Sequence, residues 1–185
     1  FLDTVNVKIN ISLNKKVYIN RITISGNTRT QDEVIRREIG ILEGGLYSRS
    51  IIRNSILKLR RLGYFSDVQM SASKVDGFPD KIDLSFVLEE TKTGTLSISV
   101  SHSNNYGVSI GAGIQERNIF GSGNTLNAEI KLSESFNKVS FFYLNPNYNN
   151  QNHSISIGAF KSEIDDDDVM QDSYKIDTKG FNFGY

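Results

Sequence analysis

The sequence predicts an α+β module of order β-α-α-β-β, followed by antiparallel strands of a transmembrane β-barrel, about six of them and hence an incomplete barrel. Three observations lead there. Helical periodicity is confined to residues 30–62. Apolar and polar residues alternate with period two on either side of that stretch and onward to Tyr185, the pattern of strands with one buried face. Composition also changes near Thr93-Gly94, from Ile, Val, Leu, Arg and Glu to Ser, Asn, Gly and aromatics. The domains read accordingly as 17–93 for the mixed module and 94–185 for the barrel strands, with a further strand within 1–16.

That first strand is Val5 to Leu13, in which five apolar residues alternate strictly with polar ones; it reads as the last strand of a preceding domain. After Asn14-Lys15-Lys16 a second strand spans Val17 to Ser25 and is closed by Gly26-Asn27. Thr30 and Glu33 have the spacing of a capping box, which predicts a helix carrying Val34, Ile35 and Ile39 and weakened at Gly40. A second helix starts at Ser48 and reaches Leu62, with Ile52, Ile56 and Leu59 as its apolar stripe and Ile51 and Leu62 widening it. Gly63 stops it. Two strands follow, Phe65 to Val75 and Lys81 to Glu90, joined by Asp76-Gly77-Phe78-Pro79-Asp80. Both helices then cover one face of a three-stranded sheet, a two-layer arrangement. Such a narrow sheet has edges, and unblocked edges pair with other chains.

Beyond Gly94, Leu96, Ile98 and Val100 alternate with Ser97, Ser99 and Ser101. Val108, Ile110, Ala112 and Ile114 do so in the next segment, and Leu126, Ala128, Ile130 and Leu132 in the third. Lys138–Leu144, Ile155–Ala159 and Ile176–Tyr185 mark three more. Turns such as Ser103-Asn104-Asn105 alternate with longer loops, the longest expected over Glu163–Ser173. A soluble sandwich would alternate equally well, so periodicity leaves both architectures open. Segments of about ten residues, the length of a tilted spanning strand, and small or mixed polar faces suited to a wet lumen favour the barrel. Six strands fall short of the roughly eight that a closed bacterial barrel uses, and open edges inside hydrocarbon are costly. The chain is therefore expected to stop in mid-barrel. No run approaches the roughly 18 apolar residues of a spanning helix, and no signal peptide is visible at Phe1.

Charge and composition exclude much else. The 21 basic and 21 acidic residues balance, so no global field points to a polyanion. With no Cys and two His, His102 and His153, thiolate chemistry is absent and imidazole chemistry scarce. No local motif suggests a catalytic set, and neither a cofactor nor a metal is expected. Asp165-Asp166-Asp167-Asp168 lacks the alternating ligands and the Gly of a calcium loop and reads as a solvated loop. Gly121-Ser122-Gly123 is a hairpin turn, not a phosphate loop, because no helix follows. Residues 17–63 hold nine Lys/Arg against four Asp/Glu, but stacking aromatics interleaved with them are missing, and Tyr47 does not supply them, so nucleic acid is not expected.

Several motifs carry a resemblance. Gly26-Asn27-Thr28-Arg29-Thr30, Val34-Ile35-Arg36-Arg37-Glu38, Glu43-Gly44 and Arg61-Leu62-Gly63-Tyr64-Phe65 resemble the last POTRA domain of the BamA family, the outer-membrane β-barrel assembly factors. Thr93-Gly94, the turn Asn118-Ile119-Phe120-Gly121-Ser122-Gly123-Asn124, and Leu144-Asn145-Pro146 with Tyr148 resemble the start of that family's barrel. The resemblance covers nearly the whole chain. It makes residues 5–16 the final strand of a preceding POTRA domain, and places the chain in the outer membrane with its POTRA domain in the periplasm.

By resemblance, the function is to fold and insert outer-membrane proteins. An unfolded client's terminal strand would add to the first barrel strand by β-augmentation. Templating would then lie along Thr95, Ser97, Ser99 and Ser101, where the backbone templates and the side chains set register. A BamD-like lipoprotein is expected to dock at Glu43 with Arg36 nearby, and outer-membrane lipid surrounds the barrel. A TamA-type factor or two-partner secretion transporter, and a soluble POTRA-type interaction module, are the alternative readings.

Overall fold

A computed structural model describes residues 8, 16–104, 107–149, 153–166 and 174–185. The strand expected over 5–13 lies outside the described residues, sharing only Lys8 with them.

The front module comprises β1 (Tyr18–Ser25), α1 (Asp32–Ile39), α2 (Arg49–Arg61), β2 (Phe65–Val75) and β3 (Phe78–Glu90). Its sheet has the order β1-β3-β2, with β1 parallel and β2 antiparallel to the central β3. A parallel pair needs a long crossover, and the two helices lie within it. Leu84, Phe86 and Leu88, alternate residues of β3, are at most 3% exposed and form the floor of the core. Ile35, Ile39 and Leu59 cover that floor from the helices.

Local signals were overridden at several points. Gln31, not Thr30, is the N-cap of α1, and it makes no side-chain cap. Thr30 is buried and spends its groups on residues far along the chain, as described below. Ser48 is the N-cap of α2, but its hydroxyl meets Ser50 and caps nothing. Ile51 stands outside the expected stripe, 45% exposed. Ser55 is buried in its stead, its hydroxyl against the carbonyls of Ile39 and Ile51. Gly63 takes φ 71° just past the helix end, the left-handed turn that a side chain would resist. The connection expected over five residues shrinks to Asp76-Gly77, because Phe78 already pairs with Val75.

The rear sheet has six strands in sequential antiparallel order: β4 (Gly94–Ser103), β5 (Gly107–Ile119), β6 (Asn124–Ser133), β7 (Phe136–Tyr148), β8 (His153–Asp166) and β9 (Tyr174–Gly184). The sheet is open, with β4 and β9 as its edges. β8 extends through Asp166, so Asp165 belongs to a strand and not to the expected loop; it faces Lys175 across the ladder, with Nζ 3.3 Å from Oδ2. Asp167 and Asp168 lie outside the described residues, as does Asn105 of the expected first turn.

Register sorts the side chains of this sheet into two faces. One aligned row runs Leu96, Ile114, Ala128, Phe141, Ala159, Phe181, and the next runs Ile98, Ala112, Ile130, Val139. These side chains cover nothing: Ile98 is 76% exposed and Phe181 72%. The opposite face carries Thr95, Gln115, Asn127, Phe142, Gly158 and Asn182 in one row, and Ser97, Gly113, Glu129, Ser140, Phe160 and Gly180 in the next. The apolar band drifts along the strands, from Leu96–Val100 on β4 to Phe181–Phe183 on β9, the slant expected when strands tilt within a barrel wall. A sandwich would turn that apolar face onto a second sheet; here no second sheet covers it among the described strands.

Candidate functional site

β4 is an edge strand, and among the described strands only β5 pairs with it. Thr95, Ser97, Ser99 and Ser101 share its inner face and are exposed. Ser99 lies over Gly111 and Ser97 over Gly113, where an added Cβ would sit 2.6 and 2.8 Å from the two hydroxyls. Ser101 and Ser109 hydroxyls meet at 2.7 Å. The four predicted residues are thus brought together as a row of small polar groups beside an open backbone edge.

The front sheet treats its own edge differently. The narrow sheet was expected to present edges, and at β1 the chain folds back over one of them. Gly44 N–H donates to the Ile19 carbonyl at 2.7 Å, Ile19 N–H to Gly45 at 2.9 Å, and Tyr47 N–H to Val17 at 2.8 Å. The next groups are capped by side chains. Ile22 N–H donates to Glu43 Oε1 at 2.9 Å, and Arg36 Nη2 donates to the Ile22 carbonyl at 3.4 Å. Arg36 also reaches Asp32, one helical turn back, at 2.5 Å. Arg36 and Glu43 are therefore brought together on one peptide segment. They flank a cleft lined by Ile39, Ile41 and Leu42, beside which Leu42 stands 80% exposed.

A third cluster went unrecognised in the sequence. Glu90, at the end of β3, accepts from Thr28 N–H at 3.1 Å, Thr28 hydroxyl at 2.8 Å, Arg29 N–H at 2.9 Å and Thr30 N–H at 2.7 Å. Burial pushes this carboxyl up, but the bonds from Thr30, Thr28 and Arg29 outweigh it and lower it from 4.5 to about 2. The loop so pinned holds the β5–β6 turn. Asn118 Nδ2 donates to Thr30 Oγ1 at 2.9 Å, Asn118 Oδ1 accepts from Gly123 N–H at 2.7 Å, and Gln31 N–H donates to the Gly121 carbonyl at 2.9 Å. The Tyr64 hydroxyl lies 3.0 Å from the Arg117 carbonyl and 3.3 Å from that of Gly123, and burial raises its pKa. Gly121, at φ 72°, packs so closely that a Cβ would come within 1.8 Å of the Arg29 carbonyl. The only advance sign was that the Gly-Tyr-Phe and Gly-Ser-Gly segments each carried a motif.

A helix-covered β-α-α-β-β module locked by its 28–31 loop to the β5–β6 turn of a lipid-type barrel wall defines a POTRA–barrel protein. The POTRA family model, described as "Surface antigen variable number repeat", matches residues 17–91. The outer membrane protein assembly factor BamA of Neisseria meningitidis serogroup B is 32% identical over 88% of this chain and 20% of its own length. The crystal structure of BamA from Haemophilus ducreyi lacking POTRA domains 1–3 superposes with a TM-score of 0.79 at 26% identity, covering 92% of this chain and 32% of that one. CdiB from Acinetobacter baumannii, at a TM-score of 0.54 and 14% identity over 82% of this chain and 30% of its own, shares the fold alone. The chain is similar to BamA-family proteins over most of its length, and it spans about a fifth of the curated relatives it matches. It is an outer-membrane protein with its POTRA domain on the periplasmic side, so the β5–β6 turn marks the periplasmic end of the wall.

Proposed function

We propose that this chain works in an assembly factor that folds β-barrel proteins and inserts them into the outer membrane, by docking through its POTRA domain and templating client strands on β4. The division between residues 93 and 94 as the boundary of these two roles is part of the reading. The observation that carries it is the β4 edge: an exposed strand with apolar side chains toward lipid and a serine row toward the lumen. Each backbone group left unpaired in hydrocarbon costs several kcal/mol. An extended client strand that alternates in the same way satisfies those groups while placing its own apolar face in lipid.

Partner docking fits the Arg36–Glu43 cleft. Exposed Leu42 supplies apolar contact there, and the two charges fix the orientation of a BamD-like lipoprotein. No step needs covalent chemistry. The relatives named as outer membrane protein assembly factors support assembly over the alternative readings.

The test is disulfide trapping in the full-length protein. Cysteines at Thr95, Ser97, Ser99 and Ser101 are paired with cysteines along the last strand of a stalled client. A ladder of adducts that moves in register supports templating. No adduct anywhere along the strand rejects it.

A further inference from the structure

On the outward face of β8 and β9, the ladder sets Lys161 directly opposite Lys179, and the next outward row sets Glu163 opposite Asp177. On the other side of the lysines, the row of Ala159 and Phe181 belongs to the apolar band. Like charges directly opposite each other across a ladder are unfavourable. Each lysine instead reaches along its own strand, Lys161 Nζ to Glu163 at 2.5 Å and Lys179 Nζ to Asp177 at 3.4 Å. Their side chains are 49% and 69% exposed, so these are weak, solvated pairs. The arrangement therefore stacks a row of cations on the rim of the apolar band and a row of anions beyond it.

The position of this rim is fixed by the fold. The POTRA domain grips the β5–β6 turn at the periplasmic end. Counted from that end, the outward positions of β8 and β9 are apolar at Ile157, Ala159, Phe183 and Phe181 and turn charged at Lys161 and Lys179, near the middle of the two strands. These lysines mark the boundary between the hydrocarbon and the headgroups of the outer leaflet. Long lysine stems lie along apolar surface and deliver their ammonium groups to this level. Paired backbones place the two Cα atoms about 5 Å apart, a separation at which both ammonium groups contact the oxygens of one phosphate.

We propose that Lys161 and Lys179 form a phosphate site for an outer-leaflet lipid, with its acyl chains on Ala159, Phe181 and Phe141. The lipid is one whose headgroup carries a phosphate monoester. Such a group offers several charged oxygens to two adjacent cations, and it exchanges with the carboxylates that hold them loosely in its absence. The inference rests on the barrel wall and its orientation and is independent of the client reading.

The experiment uses the full-length protein in phosphatidylcholine nanodiscs doped with bisphosphorylated lipid A, the retained lipid being counted by native mass spectrometry. At about fivefold per lysine near a charged membrane surface, the Lys161→Gln/Lys179→Gln variant should retain roughly twenty-five-fold less lipid. Lys161→Arg/Lys179→Arg should retain it, as should Lys131→Gln, whose side chain faces the lumen. Heat-modifiable migration on gels checks that each barrel is folded. Should the double Gln variant fail that check, lipid A stripped of its phosphates on the unaltered protein decides, with a comparable loss expected. Equal retention of the stripped lipid overturns the proposal, as does full retention by a folded double Gln variant or an equal loss in Lys131→Gln. Displacement of the lipid by inorganic phosphate alone also overturns it, in favour of a free-phosphate site.

Discussion

Replacing Glu90 by Gln tests the joint between the two parts of the chain. The carboxylate holds four donors of residues 28–30, whereas an amide keeps one acceptor oxygen and turns N–H groups toward donors. A carboxyl lowered from 4.5 to about 2 corresponds to roughly 3 kcal/mol, at about 1.4 kcal/mol per pH unit. Glu90 is partly exposed, and solvent screening brings this to about 1–2 kcal/mol. Because the folded pKa is depressed, the contribution is complete above pH 4.5 and is lost as the pH falls toward about 2. Hydrogen exchange of the Thr28, Arg29 and Thr30 amides in the full-length protein reads the effect residue by residue. At pH 7, Glu90→Gln should reduce their protection about 5- to 30-fold. In urea titrations from pH 5 to pH 3, the unaltered protein should lose stability relative to the variant. Wild-type protection in the variant, or parallel pH profiles, would refute the reasoning.

Three further outcomes follow from the same geometry. Gly121→Ala drives a methyl into the Arg29 carbonyl at a left-handed φ, at a cost of about 1–3 kcal/mol; disulfide formation between cysteines placed at Gln31 and Ser122 should slow accordingly. Tyr64→Phe removes the hydroxyl that reaches the carbonyls of Arg117 and Gly123, which should cost about 0.5–1.5 kcal/mol of urea stability while leaving the hydrophobic core intact. Glu43→Ala strands the Ile22 N–H, costing about 1–3 kcal/mol, whereas Glu43→Gln keeps an acceptor there. A pull-down of the lipoprotein proposed to dock there, weakened equally by both, would mark recognition of the charge, and one weakened by Ala alone would mark a purely structural role.

Much of this architecture is written in the alternation of the strands. Period two sorted Leu96, Ile114 and Ala128 onto one face of their strands and the serines of β4 onto the other, while the rows across strands came from the register. Contacts between distant segments were not legible. The spacing of Thr30 and Glu33 suggested a cap formed within the helix, yet Glu90, 60 residues further along, takes the Thr30 N–H. Arg36 and Glu43 were paired by resemblance, but nothing in their spacing told that both would close the backbone edge at Ile22. Asp165 looked like part of a loop because a run of carboxylates favours solvent; its strand continues with Lys175 opposite. Each miss is a case in which a partner far along the chain outcompeted a local signal.

The account stands on the outward face of β4–β9 being immersed in lipid, which spin-label accessibility in reconstituted membranes measures directly. Labels at Ile98, Ile130 and Phe141 should be relaxed by oxygen dissolved in the bilayer, and labels at Ser99, Lys131 and Ser140 by a water-soluble nickel complex. Labels at Ile98, Ile130 and Phe141 that neither agent reaches would mean a dry protein core lies against that face, contradicting the barrel wall and the functions proposed for it.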